Sequence, residues 1–427
     1  MARRVESFTR VLTWLLVAAA LLFSGTASAL LGYDYDPRPP HRLTVIAVDL
    51  GNTNSCVAGY GDTEQQTMFH LCIPSWVAFP DDGGVLVGDD ARNYAAVNPE
   101  AAFSGFKRLL GQRLNRHYEG DFVQRVIENL PYKVAEKDVR PHIQMEAKDG
   151  RTARQVSIEE MTSAIFAKLK DMAEAHLGRH TVHHAVFTVP QSYRSDASRL
   201  AVLHTGRDAG LNATSIVDEP IAAAFAYGLH KKLRDEDNVL VVQIGGGTAE
   251  ASVLTFVDGV FESLAGHLEP FFGGDDFDRR ITDYFVQLVR VKHGLDISDD
   301  AAAIRKLRAA CEDAKKTLSE QDHAYVNVES LVDGVDLSET LTRATFEELN
   351  RDLFPKVIEL VDTVMSQAQL DKNKELIDQV ILIGGSTMIP KVRRLIADYF
   401  DGKKELNTRL KPDEAVTFGA LAILPQN

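Results

Sequence analysis

The chain has 427 residues, of which 45% are hydrophobic and 25% charged, and its formal net charge at pH 7 is −14. This composition is that of an ordinary soluble globular protein, and the length suffices for two domains or a pair of lobes. The excess of acidic residues repels phosphodiester backbones, so nucleic acid is not an expected partner.

The first 29 residues predict a cleavable signal peptide. Arg3 and Arg4 supply a positive start, residues 11–23 are uncharged and mostly apolar, and Ala-Ser-Ala at 27–29 is a typical cleavage pattern. The apolar run is shorter than the roughly 20 residues of a membrane span. A signal anchor is the alternative, because two leucines prolong the run. No later segment resembles a span, so stable membrane insertion after signal removal is not expected.

The remaining elements predict an α/β fold, because short β-branched runs alternate with longer helical patterns. Residues 30–41 form a Pro-rich spacer before the first strand. Strands are predicted at residues 44–50, 184–189, 238–244, 252–256, 325–330 and 379–383. Helices are predicted at residues 157–177, 195–209, 276–293, 301–320, 343–366 and 390–400.

An internal repeat links two of these segments. VIAVDLGNTNSCV (45–57) and LVVQIGGGTAEASV (240–253) each contain an apolar strand, a glycine turn with threonine, and a second strand. Glycine permits positive φ and lets a phosphate approach the backbone closely. Tight hairpins use glycine in any case, so one such turn is weak evidence. Two of them predict two similar halves that face each other.

A third glycine turn, GGST at 384–387, separates a strand from a helix and could seat an anion. The sequence has no GxxxxGK[ST], no GxGxxG opening a βαβ unit, no GxSxG and no HExxH. P-loop and dinucleotide folds are therefore not supported.

The three cysteines, Cys56, Cys72 and Cys311, are too few for a disulfide framework. One bridge is possible and would leave one free thiol. Because the spacing offers no CxxC and no metal-ligand pattern, we interpret all three as small buried apolar residues.

Seven ordered segments resemble the ATPase domain of the heat-shock 70 kDa chaperones. They are VIAVDLGNTNSCVAG, AVFTVP, VDEPIAAAFAYGL, IGGGTAEASVL, GGDDFDRR, ILIGGSTMIPKV and KPDEAVTFGA. Connecting stretches such as PSWVAF, NPEAAF and LTRATFEELNRDLF are most similar to the branch of the family in the endoplasmic reticulum lumen. The resemblance covers residues 45–423.

The resemblance implies an actin-like (ribonuclease H-like) α/β fold with two lobes, each split in two, and the nucleotide in the central cleft. Lobe I is expected at residues 42–229, completed by a C-terminal helix within 412–427, and lobe II at 230–411. The implied cofactors are ATP or ADP and Mg²⁺, with K⁺ as a further candidate. J-domain proteins and nucleotide-exchange co-chaperones are the implied partners.

The family also implies a peptide-binding domain after this one. The sequence given stops at Asn427, before its linker, and shows no C-terminal lumenal retention motif. Direct binding of unfolded peptides is therefore not expected.

The resemblance assigns a first phosphate loop beginning at Asp49, which would meet Mg²⁺ through water, because Mg²⁺ retains several waters. Gly51, Asn52, Thr53 and Asn54 follow it and would bind nucleotide. Asn52 and Asn54 depart from the family's usual Thr and Tyr, which affects orientation more than backbone donors.

Six further residues carry the expected phosphate chemistry. Lys107 is expected to reach the γ-phosphate, and Glu219 to join the water network and the relay between lobes. Gly245, Gly246, Gly247 and Thr248 match the second phosphate loop, in which Thr248 lines the γ-phosphate site. Together with Asp49, the catalytic residues are expected to be Lys107, Glu219 and Thr248.

Two departures lie beside the second loop, where the family has aspartates and this chain has Gln243 and Glu250. Within the repeat, Gln243 corresponds to Asp49. A neutral amide cannot accept a proton from attacking water, and a positioned general base is worth about 10²–10⁴-fold in rate. Glu250 keeps its charge but displaces it by one methylene. We therefore expect ATP binding with weak hydrolysis.

The adenosine side is expected on one helix face, at Glu312, Lys315, Lys316 and Ser319. Lys316 and Met388 stand where the family has arginines that stack on adenine, so a modest loss of affinity is expected. The remaining expected nucleotide contacts are Gly274, Gly384, Gly385, Ser386, Thr387 and Asp413.

Three functional hypotheses follow. The first is an ATP-binding chaperone of the endoplasmic reticulum lumen, reduced to its nucleotide domain, with weak hydrolysis. The second is a non-catalytic nucleotide-binding regulator that competes for co-chaperones. The third is a sugar kinase on the same superfold. The sequon at Asn212 allows a glycan in the lumen.

Overall fold

The computed structural model describes residues 44–61, 67–114, 122–146, 152–178, 181–193 and 195–424. The predicted signal peptide and Pro-rich spacer lie outside the described residues. Among the helices within these ranges, none is long and apolar enough to cross a bilayer.

Strands and helices alternate along the described chain. The strands are β1 (Val45–Asp49), β2 (Asn54–Tyr60), β3 (Met68–Pro74), β4 (Val77–Ala78), β5 (Leu86–Val87), β6 (Ala102–Phe103), β7 (Val134–Lys137), β8 (Arg140–Glu146), β9 (Thr152–Ser157), β10 (His184–Val189), β11 (Asn212–Asp218), β12 (Asn238–Ile244), β13 (Ala249–Val257), β14 (Val260–Glu269), β15 (His323–Val332), β16 (Val335–Thr342), β17 (Ile377–Ile383) and β18 (Leu406–Asn407). The α-helices are α1 (Asp89–Tyr94), α2 (Phe122–Glu128), α3 (Ile158–Leu177), α4 (Asp196–Asp208), α5 (Glu219–Ala226), α6 (Gly274–His293), α7 (Ala301–Leu318), α8 (Arg343–Leu349), α9 (Phe354–Gln367), α10 (Pro390–Tyr399) and α11 (Ala415–Ala422).

Two five-stranded sheets share one topology. The first has the order β3-β2-β1-β10-β11 and the second β14-β13-β12-β17-β18. In each sheet the central strand, β1 or β12, pairs antiparallel with its hairpin partner and parallel with the strand on its other side. The repeat predicted from the two glycine hairpins is therefore a repeat of whole sheets.

The two sheets are joined by a shared apolar layer. Helices α5 and α11 pack against each other, and α11 also packs on β1. Their alanine-rich faces enclose fully buried residues from both sheets, among them Val186 of the first and Ile381 of the second. Burial of each such side chain contributes about 1.5–3 kcal/mol, so this layer fixes how the two central strands face one another.

Helix α3 shows how capping residues set the bounds of a predicted helix. The Ser157 hydroxyl accepts a hydrogen bond from the Glu160 amide at 3.0 Å and starts α3, and Gly178 follows its last turn. The single helix predicted at residues 343–366 is wrong, because the structure has α8 and α9 there. The first turn of α9 contains Pro355, which has no amide hydrogen to continue α8.

The predicted burial is confirmed for Cys311, which is free, and for Cys56, and the one possible bridge is present. Cys56 and Cys72 form a disulfide between β2 and β3, where the two residues are directly opposite. Cys72 is exposed rather than buried. The strand containing Cys72 was not among those predicted, so this pairing could not be read from spacing.

Candidate functional site

A cleft of about 230 Å³ lies where β1 and β12 end. The first hairpin, the second hairpin and the turn after β17 all contribute to its lining. The structure brings together these predicted site residues along the cleft: Asp49, Gly51, Asn52, Thr53, Asn54, Lys107, Glu219, Gln243, Gly245, Gly246, Thr248, Glu250, Gly384, Gly385 and Asp413.

The two glycine turns touch each other directly. A Cβ built on Gly246 would lie 1.8 Å from the Thr53 hydroxyl oxygen, and one on Gly247 would lie 2.5 Å from the Asn52 side-chain nitrogen. Only residues without a side chain permit this approach. The Asn52 Oδ1 atom is buried and has no hydrogen-bond partner. Such an oxygen can bind a hard cation or accept a hydrogen bond from a ligand. The lining therefore fits an anion that is bound together with a metal ion.

A buried chain of polar side chains crosses the cleft. The Lys107 Nζ atom, on a short 3₁₀ helix (Phe106–Leu109), donates to Glu219 Oε1 at 3.2 Å. The second oxygen of Glu219 accepts a hydrogen bond from the side-chain amide of Gln243. Glu219 is 1% exposed, so both of its oxygens are committed inside the protein. Burial lowers the pKa of Lys107, but Glu219 and then Asp49 outweigh it, and the net pKa is raised.

Asp49 ends β1 and lies opposite Thr188 of β10. Its Oδ1 atom accepts a hydrogen bond from the Thr188 hydroxyl at 2.7 Å. Burial, and then repulsion from Glu219, raise the pKa of Asp49 to about 6 although Lys107 opposes the shift. Because this pKa stays below 7, most of the carboxyl group is still ionised at neutral pH, and it lies near the Lys107 ammonium, which favours the ionised form.

Glu250 lies opposite Gln243 across the second hairpin. Its Oε1 atom accepts a hydrogen bond from the Ser192 amide at 2.8 Å, and the residue is 6% exposed. Burial, followed by repulsion from Glu219, raises the pKa of Glu250 to about 8. At neutral pH this carboxyl is therefore largely protonated, unlike Asp49.

The turn after β17 supports the second glycine loop from behind. The Gly245 carbonyl accepts hydrogen bonds from the Gly274 amide at 2.9 Å and the Ser386 hydroxyl at 3.0 Å. Gly384 has φ 83°, and a Cβ there would lie 2.4 Å from the Ile244 carbonyl oxygen. The Thr387 hydroxyl donates back to Gly384 at 2.8 Å. These bonds fix the loop that carries Gly245.

The predicted adenosine residues do not line this cleft. Lys315 donates to Asp278 at 2.6 Å and to the Gly274 carbonyl at 3.1 Å, so it supports the second loop. Glu312 and Lys316 form an ion pair at 2.7 Å, with 61% of the Lys316 side chain exposed.

Two other members of the predicted adenosine set make local contacts. Ser319 donates to the Lys315 carbonyl at 3.4 Å, and the Met388 sulfur accepts from Arg393 at 2.8 Å. Lys315 and Ser319 also line a small adjoining pocket at the end of α7. The adenosine assignments therefore stay predictions.

Sequence reasoning missed the segment after β10. Besides the Ser192 amide, the Tyr193 hydroxyl bonds to the Lys107 carbonyl at 2.8 Å, and both residues line the cleft. Burial raises the pKa of Tyr193 to about 12, which keeps this hydroxyl a donor. The available signal was topological: β10 runs parallel to β1, so the residues after both strands meet at one sheet edge.

Comparison with known proteins identifies one family. The model for the family described as "Hsp70 protein" matches residues 45–424. "Heat shock 70 kDa protein BIP3" of Oryza sativa subsp. japonica is 46% identical over 381 residues, covering 88% of this chain and 56% of the rice protein. The chain thus spans little more than half the length of that relative.

Proposed function

This chain belongs to the Hsp70 family, whose ATPase domain has the actin-like fold predicted above, and we propose that its cleft binds ATP and ADP with Mg²⁺ and hydrolyses ATP slowly. Family membership and fold class are thereby confirmed. The observation that carries the proposal is the direct contact of the two glycine turns, Thr53 on Gly246 and Asn52 on Gly247. Backbone amides at such turns are a typical seat for phosphates.

Within this proposal, residues 45–229 with α11 form one lobe and residues 230–411 the other. Lys107 positions its ammonium for the terminal phosphate, and Thr248 lines the same end of the cleft. Asp49 would hold Mg²⁺ through its bound water, and the Asn52 side-chain oxygen is a further candidate contact; the ion would neutralise phosphate charge when bound. Gln243 occupies the position of a general base and offers only an amide, which is why hydrolysis would be slow.

Isothermal titration calorimetry tests the binding step. ATP and ADP should each bind with a stoichiometry of one, and affinity should fall when Mg²⁺ is removed by a chelator. The double variant Gly246→Val/Gly247→Val should lose binding, because both side chains would enter the space filled by Thr53 and Asn52. Absence of binding by the unmodified chain at millimolar nucleotide would refute the proposal.

The second candidate is a non-catalytic regulator that binds nucleotide and competes for J-domain or exchange partners. The hydrogen bond between Gln243 and Glu219 favours it, because it occupies the carboxyl nearest to Lys107. Single-turnover hydrolysis separates the two. A measurable rate that a Lys107→Met substitution abolishes supports the enzyme, and a rate equal to that of the substituted chain supports the regulator.

We also propose that the chain enters the lumen of the endoplasmic reticulum, as the signal-like residues 1–29 indicate. Asn212 lies at the exposed start of β11 and provides a reporter. When the chain is translated with its own residues 1–29 in the presence of microsomes, it should be protected from added protease. A glycan on Asn212 would slow its migration on a gel, and the Asn212→Gln substitution should remove that shift. Protease digestion in intact microsomes would contradict the location.

A further inference from the structure

A second group of ligand-type side chains lies on β2 and β3, beside the cleft, and Cys56 also contributes to the cleft lining. Cys56, His70 and Cys72 place their ligand atoms within 4.8 Å of one another. Cys56 and Cys72 are directly opposite, and His70 precedes Cys72 by two residues, so all three lie on the same face of the sheet. We propose that these three side chains form a Zn²⁺ site when the Cys56–Cys72 disulfide is open.

The distances suit one tetrahedral ion. The His70 Nε2 atom lies 3.5 Å from the Cys72 sulfur, and Nδ1 lies 3.8 Å from it. Nitrogen and sulfur ligands bound at about 2.0 and 2.3 Å around tetrahedral zinc are themselves roughly 3.5 Å apart. Opening of the sulfur–sulfur bond and rotation of one cysteine side chain supply the second thiolate, and water completes the four ligands.

The imidazole is already held in place from outside the group. Its ring hydrogen-bonds to the backbone of Asp413 and meets the Phe418 ring edge-on at 5.6 Å. Zinc-binding histidines ordinarily have such an outer partner, which fixes the ring orientation. The soft sulfur and nitrogen ligands select zinc over Mg²⁺, for which Asp49 offers hard oxygen on the neighbouring strand.

Metal binding here depends on the redox state. A dithiol reductant transfers two electrons and two protons to the Cys56–Cys72 bond, giving two thiols, and itself becomes a disulfide. Zn²⁺ then displaces one proton from each thiol and binds two thiolates and the neutral imidazole. The oxidised chain has no thiolate at this place, so it lacks the site.

The test uses the full chain, oxidised or reduced with a dithiol and then freed of it without air. Zn²⁺ is titrated against a chromogenic chelator, and Co²⁺ serves as a spectroscopic substitute that shows thiolate-to-metal charge transfer. We expect one ion per reduced chain and none on the oxidised chain. No zinc on the reduced chain, or cobalt binding without the charge-transfer band, would overturn the proposal.

Variants assign the ligands. His70→Ala should weaken zinc binding at least about 100-fold, since even outer partners of zinc ligands are worth about 10- to 100-fold. His176→Ala is the matched control, because its ring packs on Phe69, whose side chain points to the opposite face. Cys72→Ser should weaken metal binding and reduce the charge-transfer band, because only the Cys56 thiolate remains, whereas Cys311→Ser should leave both unchanged.

If Cys72→Ser does not fold, alkylation of the reduced native chain replaces it, with circular dichroism to show that the fold persists. Loss of zinc on alkylation supports the site. Equal zinc affinity of His70→Ala and His176→Ala would remove His70 as a ligand and refute the three-residue site.

Discussion

Gln243 and Lys107 bind the same carboxyl group, one at each oxygen of Glu219. Glu219 begins α5, which lies between the two sheets, while Gln243 belongs to the second sheet. In the repeat, Gln243 of the second sheet corresponds to Asp49 of the first. At this position the second sheet therefore has a neutral amide, which donates a hydrogen bond to the buried carboxylate of Glu219. An amide at this place cannot act as a base, and it adds no negative charge beside the buried Glu219.

The first prediction concerns Gln243→Asp. The new carboxylate can accept a proton from attacking water, so the single-turnover rate of ATP hydrolysis should rise about 10²–10⁴-fold. ADP affinity should change little, because the glycine turns are untouched. Gln243→Asn is the matched control: it has the same length as aspartate without its charge and should give no gain. Equal rates in the two variants would show that Gln243 is not the cause of slow hydrolysis.

The second prediction concerns the contact between the glycine turns. Gly246→Ala places a methyl group where the Thr53 hydroxyl lies, so the Thr53 side chain or the turn that carries it must shift. We expect ADP affinity measured by calorimetry to fall at least about tenfold, which corresponds to about 1.4 kcal/mol. Gly84→Ala, in an exposed loop, serves as the control and should bind as the unmodified chain does. Unchanged affinity in Gly246→Ala would mean that the turns do not form the phosphate seat.

How much of this site could be predicted depends on how local each signal is. The strands β10 and β12 are predicted to the residue, because their apolar runs end at a proline and at a glycine respectively. The first phosphate loop and the position of Gln243 came from the same local pattern. The contact of Ser192 with Glu250 joins the two halves, and no periodicity carries that information.

The Cys56–Cys72 pairing and the break between α8 and α9 were not predicted, for different reasons. β3 contains His70 and Pro74 and lacks a clean alternation, so the partner of Cys56 was not recognised. The helical pattern at residues 343–366 continues through the break, and only Pro355 marked it. The prediction followed the apolar periodicity and gave too little weight to Pro355. A continuous helix would need a backbone hydrogen bond from this residue, and proline has no amide hydrogen to donate.

The third prediction concerns the ion pair of Lys107. Lys107→Met leaves the buried carboxyl of Glu219 without its cation, and breaking such a pair costs about 3–5 kcal/mol in the free energy of unfolding. Adding Glu219→Gln to that variant should recover part of the loss, because residue 219 then carries no unpaired charge, although Asp49 also loses the nearby ammonium. Urea unfolding of both variants measures the difference.

A control for this pair is Lys170→Met on α3, since the Lys170–Glu174 pair is more exposed, at 17% and 25% of the side chains. Pairs near the surface are worth about 0–1 kcal/mol. If Lys107→Met costs no more than Lys170→Met, or if the second substitution recovers nothing, Glu219 is not held by this charge.

The fourth prediction is a pH dependence of stability set by Glu250. Its pKa in the folded protein is about 8, against an ordinary value of 4.5. Between these values the folded chain binds a proton that the unfolded chain has lost, so the free energy of unfolding falls as pH rises. The contribution is complete below about pH 4.5 and gone above about pH 8, with a slope up to about 1.4 kcal/mol per pH unit.

Glu250→Gln should remove this dependence, because the amide keeps a similar shape without a titrating proton. Urea unfolding from pH 5 to pH 9 should then show the variant becoming progressively more stable than the unmodified chain as pH rises. Glu262→Gln, at an exposed position on the adjacent strand β14, should give a curve parallel to that of the unmodified chain. A Glu250→Gln curve that also runs parallel would mean that Glu250 is ionised in the folded protein, and that the Ser192 amide outweighs the cost of its burial.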